Sequence, residues 1–148
     1  QDIGQPYLEE VCNAIPALGS QILMPLQPIK KAWGNQLGYD EATVVDIVVP
    51  VIAQVDQASQ LNITSHPDSD PSLIKEAGIK LKKGVGVNDI KNCHTVLGMF
   101  SVQMVLGYLW GRKVASVQPN LKEADPSPLS RWGLIPRIDN RKDLFKFI

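Results

Sequence analysis

Between Asn88 and Lys113 the chain carries its longest stretch of closely spaced apolar residues, and any fold must find room for it. Read as one helix, Ile90, Cys93, Leu97, Phe100, Met104 and Tyr108 recur at three and four, while Val96, Met99, Val105, Leu109 and Trp110 load the remaining faces. A helix apolar nearly all round belongs at the centre of a bundle. Its uncharged part, Val96 to Gly111, falls short of the roughly 20 residues that a membrane span needs. The spacing therefore predicts an all-α fold: an irregular bundle of about five helices around a central helix over residues 88–113.

The other segments read as helices around that centre. Pro6 opens one that carries Tyr7, Val11 and Ile15 and stops before Pro16. Pro25 and Pro28 break the next pattern, leaving a helix from Pro28 to Leu37 with Trp33 inward. Asp40 caps a segment running to Leu61 with a kink at Pro50; its β-branched run Thr43 to Val49 suits a strand by propensity, but length favours helix. Asp70-Pro71 begins another, with Leu73, Ile74, Ala77 and Leu81 as its stripe and Gly84 as its stop. After Val114 the prolines at 119, 126, 128 and 136 preclude a long helix. The chain divides into a helical domain over 1–118 and an extended C-terminal arm over 119–148, closed by a short amphipathic helix. An arm with large apolar side chains must cover its own domain or dock elsewhere, which nominates Trp132, Leu144, Phe145 and Phe147 as contacts.

At 44% apolar and 20% charged residues the composition is that of one globular domain. The net charge of zero hides a division. Residues 1–74 hold two lysines against nine acids, net −7, and residues 75–148 hold 13 bases against six acids, net +7. Such asymmetry suits an acidic partner for the basic half or complementary faces on neighbouring copies. Lys75, Lys82, Lys83, Lys91, Arg112, Lys113 and Arg131 are the candidate anion contacts, positioned to attract the phosphates of a nucleic acid if they line one face.

Catalytic chemistry finds little to use. His94 follows Cys93 directly, and adjacent helical positions point about 100° apart, so they form no nucleophile and base pair. Cys12, His66, Cys93 and His94 lack the close pairs of a structural zinc site, so no metal and no other cofactor is expected. The acid pairs Glu9-Glu10 and Asp40-Glu41 sit next to helix starts, where they stabilise the dipole. Gly84-Val85-Gly86-Val87-Asn88-Asp89 begins like a dinucleotide fingerprint, but Asp89 takes the third glycine's place and no strand is evident before it; it reads as a helix stop and cap. The two cysteines read as separate thiols. Gln1 opens the chain without a methionine or a secretory run, as a processed or excised form would, and the compartment stays open.

The expectation is a non-enzymatic helical assembly or binding protein that meets nucleic acid through its basic half and associates with itself or a protein partner through the arm. Its rival is a helical carrier that encloses an apolar small molecule or pigment between the long helix and the 40–61 helix.

Overall fold

The computed structural model describes residues 15–69 and 81–148. Nearly all of the helix read from Pro6 to Ile15, and residues 70–80 of the one read from Asp70 to Gly84, with Cys12 and Lys75, lie outside them; the end of the second, Leu81–Lys83, is a strand and not a helix. Among the described residues the elements are β1 (Gln21–Pro25), α1 (Ile29–Trp33), α2 (Glu41–Gln54), β2 (Leu61–Ser65), β3 (Leu81–Lys83), α3 (Val87–Lys91), β4 (Cys93–Gly98), α4 (Val102–Leu109), β5 (Lys113–Val117), α5 (Pro128–Arg131), β6 (Arg137–Ile138) and α6 (Arg141–Phe147). The six strands form one sheet, ordered β3-β2-β1-β4-β5-β6, and every pairing is parallel.

This is an α/β fold, and the all-α expectation is wrong. The run over 88–113 is not a central helix but α3, β4, α4 and the first residue of β5 in succession. The physical reason lies in the sheet. Parallel strands covered on both faces lose the alternation that marks a half-buried strand and read as continuous apolar runs. In β4, Cys93, Thr95, Val96, Leu97 and Gly98 are all buried.

Helices cover both faces. Ile22 and Met24 of β1, Leu97 of β4 and Ala115 and Val117 of β5 face a core shared with Ile29, Val44, Val48, Ile52 and Leu144. Their neighbours Leu23, Val96 and Val114 turn the other way, onto Ile90, Met104, Leu129 and Ile135. Successive side chains of a strand point to opposite faces, so one short segment serves two cores. Gly107 lets α4 lie close on the sheet: a β-carbon there would stand 2.9 Å from Cγ2 of Val96.

Residues 119–148 form no extended arm either. They supply α5, the sixth strand and α6, with Leu129, Ile135, Ile138 and Leu144 buried in the two cores. The helix from Asp40 holds in its first part. Thr43 N–H donates to Asp40 Oδ1 (3.0 Å) and Asp40 N–H returns a bond to Thr43 Oγ1 (3.4 Å), a reciprocal cap. Pro50 lies inside α2, and the helix ends at Gln54 before a 3₁₀ turn leads into β2. No helix among the described residues is long and apolar enough to cross a membrane.

Candidate functional site

In a parallel sheet all carboxyl ends face one way, so the loops that follow the strands gather along one edge. Here β1 is followed by strands on one side, β2 and β3, and the chain then crosses back to place β4 on the other. The loops after β1 and β4 diverge at that reversal and leave a gap. A crevice of about 460 Å³ occupies it. Pro25, Leu26 and Gln27 come from β1 and its loop, Thr64, Ser65 and His66 from β2, Gly84 and Val85 from the β3 loop, and Phe100, Ser101 and Gln103 from the β4 turn and α4.

The walls are held by hydrogen bonds that backbone amides donate across strands and loops. Phe100 N–H donates to Gln27 Oε1 (2.9 Å), which ties the β4 turn to the β1 loop. Leu26 N–H donates to Thr64 O (2.8 Å) and Gly84 N–H to Ser65 O (2.8 Å). Phe100 packs edge-on against Trp33, ring centroids 6.1 Å apart. At the crevice floor Ser101 stands at the N-cap of α4 without a side-chain capping bond, and its buried hydroxyl has no partner among the described residues. The first turn of α4 therefore presents amides and a hydroxyl that no side chain of the described residues satisfies.

The glycine segment forms the far end of the crevice. A strand, β3, does precede it, and Gly84 takes a left-handed φ of 76° that releases the chain from the sheet. Asp89 fixes the loop: its carboxylate accepts from Gly86 N–H (2.8 Å), Lys82 Nζ (2.6 Å) and Asn62 Nδ2 (3.1 Å). Burial alone would raise the pKa of this carboxyl, but Lys82 and the two amides outweigh it and hold it below the usual aspartate range.

The candidate anion contacts are not gathered on one face. Lys82 and Lys83 stand at the carboxyl end of β3, beside a hollow of about 410 Å³ over the glycine loop, with Lys82 paired to Asp89 and Lys83 exposed. Lys91 and Arg112 lie at the opposite end of the sheet. Arg112 is buried and donates to the carbonyls of Ile90, Pro16, Trp110, Ala17 and Lys91 at 2.8–3.2 Å, so its guanidinium staples loops. Lys113 donates to Phe147 O (2.6 Å) and lies 4.7 Å from that ring's centroid. Arg131 is exposed on α5. Of the arm contacts, Leu144 is fully buried, Phe147 packs against the core, and Trp132 and Phe145 are exposed.

The two histidines separate. His66 lies in the crevice, where Nδ1 accepts from Asp68 N–H (3.1 Å). His94 opens β4 at the other end of the sheet, its Nδ1 2.7 Å from Thr95 Oγ1. Cys93 is a buried free thiol whose Sγ donates to Ile90 O (3.2 Å), and burial pushes its pKa up. No family model matches the chain, nor does any curated protein or solved structure. The site thus stands on its own geometry. Gln27, Ser65 and Ser101 escaped the reading of the sequence because no motif unites them, and His66 entered it only as a metal ligand without a close partner; the available signal was the turn Gly98-Met99-Phe100-Ser101 inside the apolar run, where a strand can stop and a helix restart.

Proposed function

We propose that this chain binds a phosphate-bearing small molecule of the nucleotide class in the crevice between the β1 and β4 loops. The observation that carries the reading is the reversal of strand order between β1 and β4 with the crevice at the strands' carboxyl ends, where open α/β sheets hold their ligands. The lining supports it. Leu26, Val85 and Phe100 offer apolar surface for a base or sugar, and a few polar groups, Gln27, Thr64, Ser65, His66 and Ser101, converge on it. The first turn of α4 favours negative charge nearby. The test is titration of the isotope-labelled chain with adenosine and uridine 5′-monophosphates while amide resonances are followed. Saturable shifts at Gln27, His66, Ser101 and Val102 are the expected outcome. Shifts scattered over the surface, or none, would remove the reading.

Association with a protein partner or a second copy, expected of residues 119–148, narrows to a smaller surface. Trp132 is 68% exposed and Leu134 48%, two large apolar side chains either side of Gly133 in the turn after α5. A large aromatic side chain left in water is the type of anchor that interfaces bury. The long helix on which the carrier reading was built is α3, β4 and α4 in succession.

A further inference from the structure

In doubly wound folds that take dinucleotides, the bridging pyrophosphate lies on the turn after β1, against the N-terminus of the next helix. The amides that open the helix after that turn are already taken here. Leu26 N–H is spent on Thr64 O, and Pro28 has no N–H to give. Ile29 N–H donates to Glu41 Oε2 (3.0 Å) and Lys30 N–H to Glu41 Oε1 (3.2 Å), so one carboxylate takes both leading amides of α1 through separate oxygens. Glu41 reaches them from the first position of α2 and is 1% exposed. A second anion at this turn would find the leading amides of α1 already taken and would face a buried carboxylate at short range, where low dielectric magnifies repulsion.

We propose that Glu41 is a built-in occupant of the phosphate seat at the β1 turn. The inference rests on the crevice binding nucleotides, and it names the class: ligands whose phosphate can sit on the β4 side, mononucleotides among them, and not dinucleotides whose pyrophosphate must cross the β1 turn. Glu41 is then a specificity residue, acting by exclusion and never touching the ligand that binds.

The experiment compares adenosine 5′-monophosphate with NAD⁺ on the unmodified, isotope-labelled chain. The mononucleotide should shift Ser101 and Val102 while Ile29 and Lys30 stay still, and NAD⁺ should bind at least about tenfold more weakly. NAD⁺ binding as tightly, with Ile29 and Lys30 shifted, would overturn the role of Glu41 and leave the crevice reading intact. Failure of both ligands to move any crevice amide would bring down the crevice reading itself, and this inference with it. A second measurement probes the seat alone. In E41A, inorganic phosphate should raise the melting temperature more than in the parent, because the vacated amides accept the added anion; an equal response in both proteins would show that no anion seat exists there.

Discussion

Asp89 and His94 are two buried or half-buried titrating groups whose environments act in the same sense at different pH. Burial raises the pKa of Asp89, but Lys82, Gly86 N–H and Asn62 outweigh it and leave it below the ordinary 3.8. For His94, burial first and Lys113 second hold the imidazole below its ordinary 6.5. In both cases the unfolded chain takes up the proton before the folded one does as pH falls, so stability declines there. The contribution of His94 is complete above pH 6.5 and lost below it; that of Asp89 is complete above pH 3.8 and lost below it. Urea midpoints measured against pH should therefore fall in two windows. His94→Gln should flatten the upper window and leave the lower one, whereas D89N should lower the midpoint at neutral pH and flatten the lower window. An upper decline that persists unchanged in His94→Gln would assign it to another group. Of these two residues the sequence disclosed only the negative half: His94 was set apart from Cys93 by the angle between helical neighbours, yet both lie on a strand, and the exclusion of a pair rests instead on opposite sides of a sheet. Glu41 was legible as an acid at a helix start. That it serves a different helix from its own is a tertiary fact, and no local pattern encodes it.

Between elements, the contact of α2 with α6 turns on one missing donor. Pro50 has no N–H for the carbonyl of Asp46 four residues earlier, and Arg141 Nη2 donates to that oxygen at 2.9 Å instead. The proline that was expected to kink the helix thus creates an acceptor that α6 uses. The bond is exposed, so R141A should cost only about 0.5–1 kcal/mol. In a P50A background the helix supplies its own N–H, and the cost of R141A should shrink toward zero; additive effects in the double-mutant cycle would deny the coupling. Why α2 was readable and β4 was not follows from the same local physics. Asp40 and Thr43 form a cap three residues apart, a signature written in sequence, and fourteen residues are long enough to show a periodicity. Cys93 to Gly98 is six residues with both faces buried, so it lacks the alternation of a half-buried strand, and only the turn after it sets it apart from α4. The short strands β3 and β6, of three and two residues, are defined by their neighbours' edges more than by their own side chains.

For the whole molecule, the place of residues 119–148 decides how any partner can be sought. Leu129, Ile135, Ile138 and Leu144 are buried on both faces of the sheet, and Ser116 N–H and Gln118 N–H donate to the carbonyls of Pro136 and Ile138. Behind them lies a polar network in which Gln118 joins Tyr39 (2.8 Å), Ser116 (2.9 Å) and Asp125 (2.7 Å), while Ser127 N–H and Ser130 Oγ donate to Asp125. Buried polar groups of this sort are costly once a partner is taken away. Truncation after Gln118 should therefore abolish cooperative unfolding, and loss of association in such a fragment would say nothing about an interface. A point change separates the two. Trp132 is mostly in water, so W132A should keep the parent's unfolding free energy within the range of ordinary surface substitutions, about 0.5 kcal/mol. If Trp132 and Leu134 form a contact between molecules, sedimentation velocity at rising concentration should show association in the parent and a monomer in W132A. The charge division bears on the same measurement. Among the described residues the contacts between lysine or arginine and a carboxylate, Lys82–Asp89 and Arg137–Asp139, both fall within the basic half, so contact pairs do not cancel the acidic half against the basic one. Association driven by those poles should weaken as salt shortens their reach, whereas burial of Trp132 should persist at high salt. The salt dependence of the parent's sedimentation therefore assigns any association either to the charges or to the exposed tryptophan.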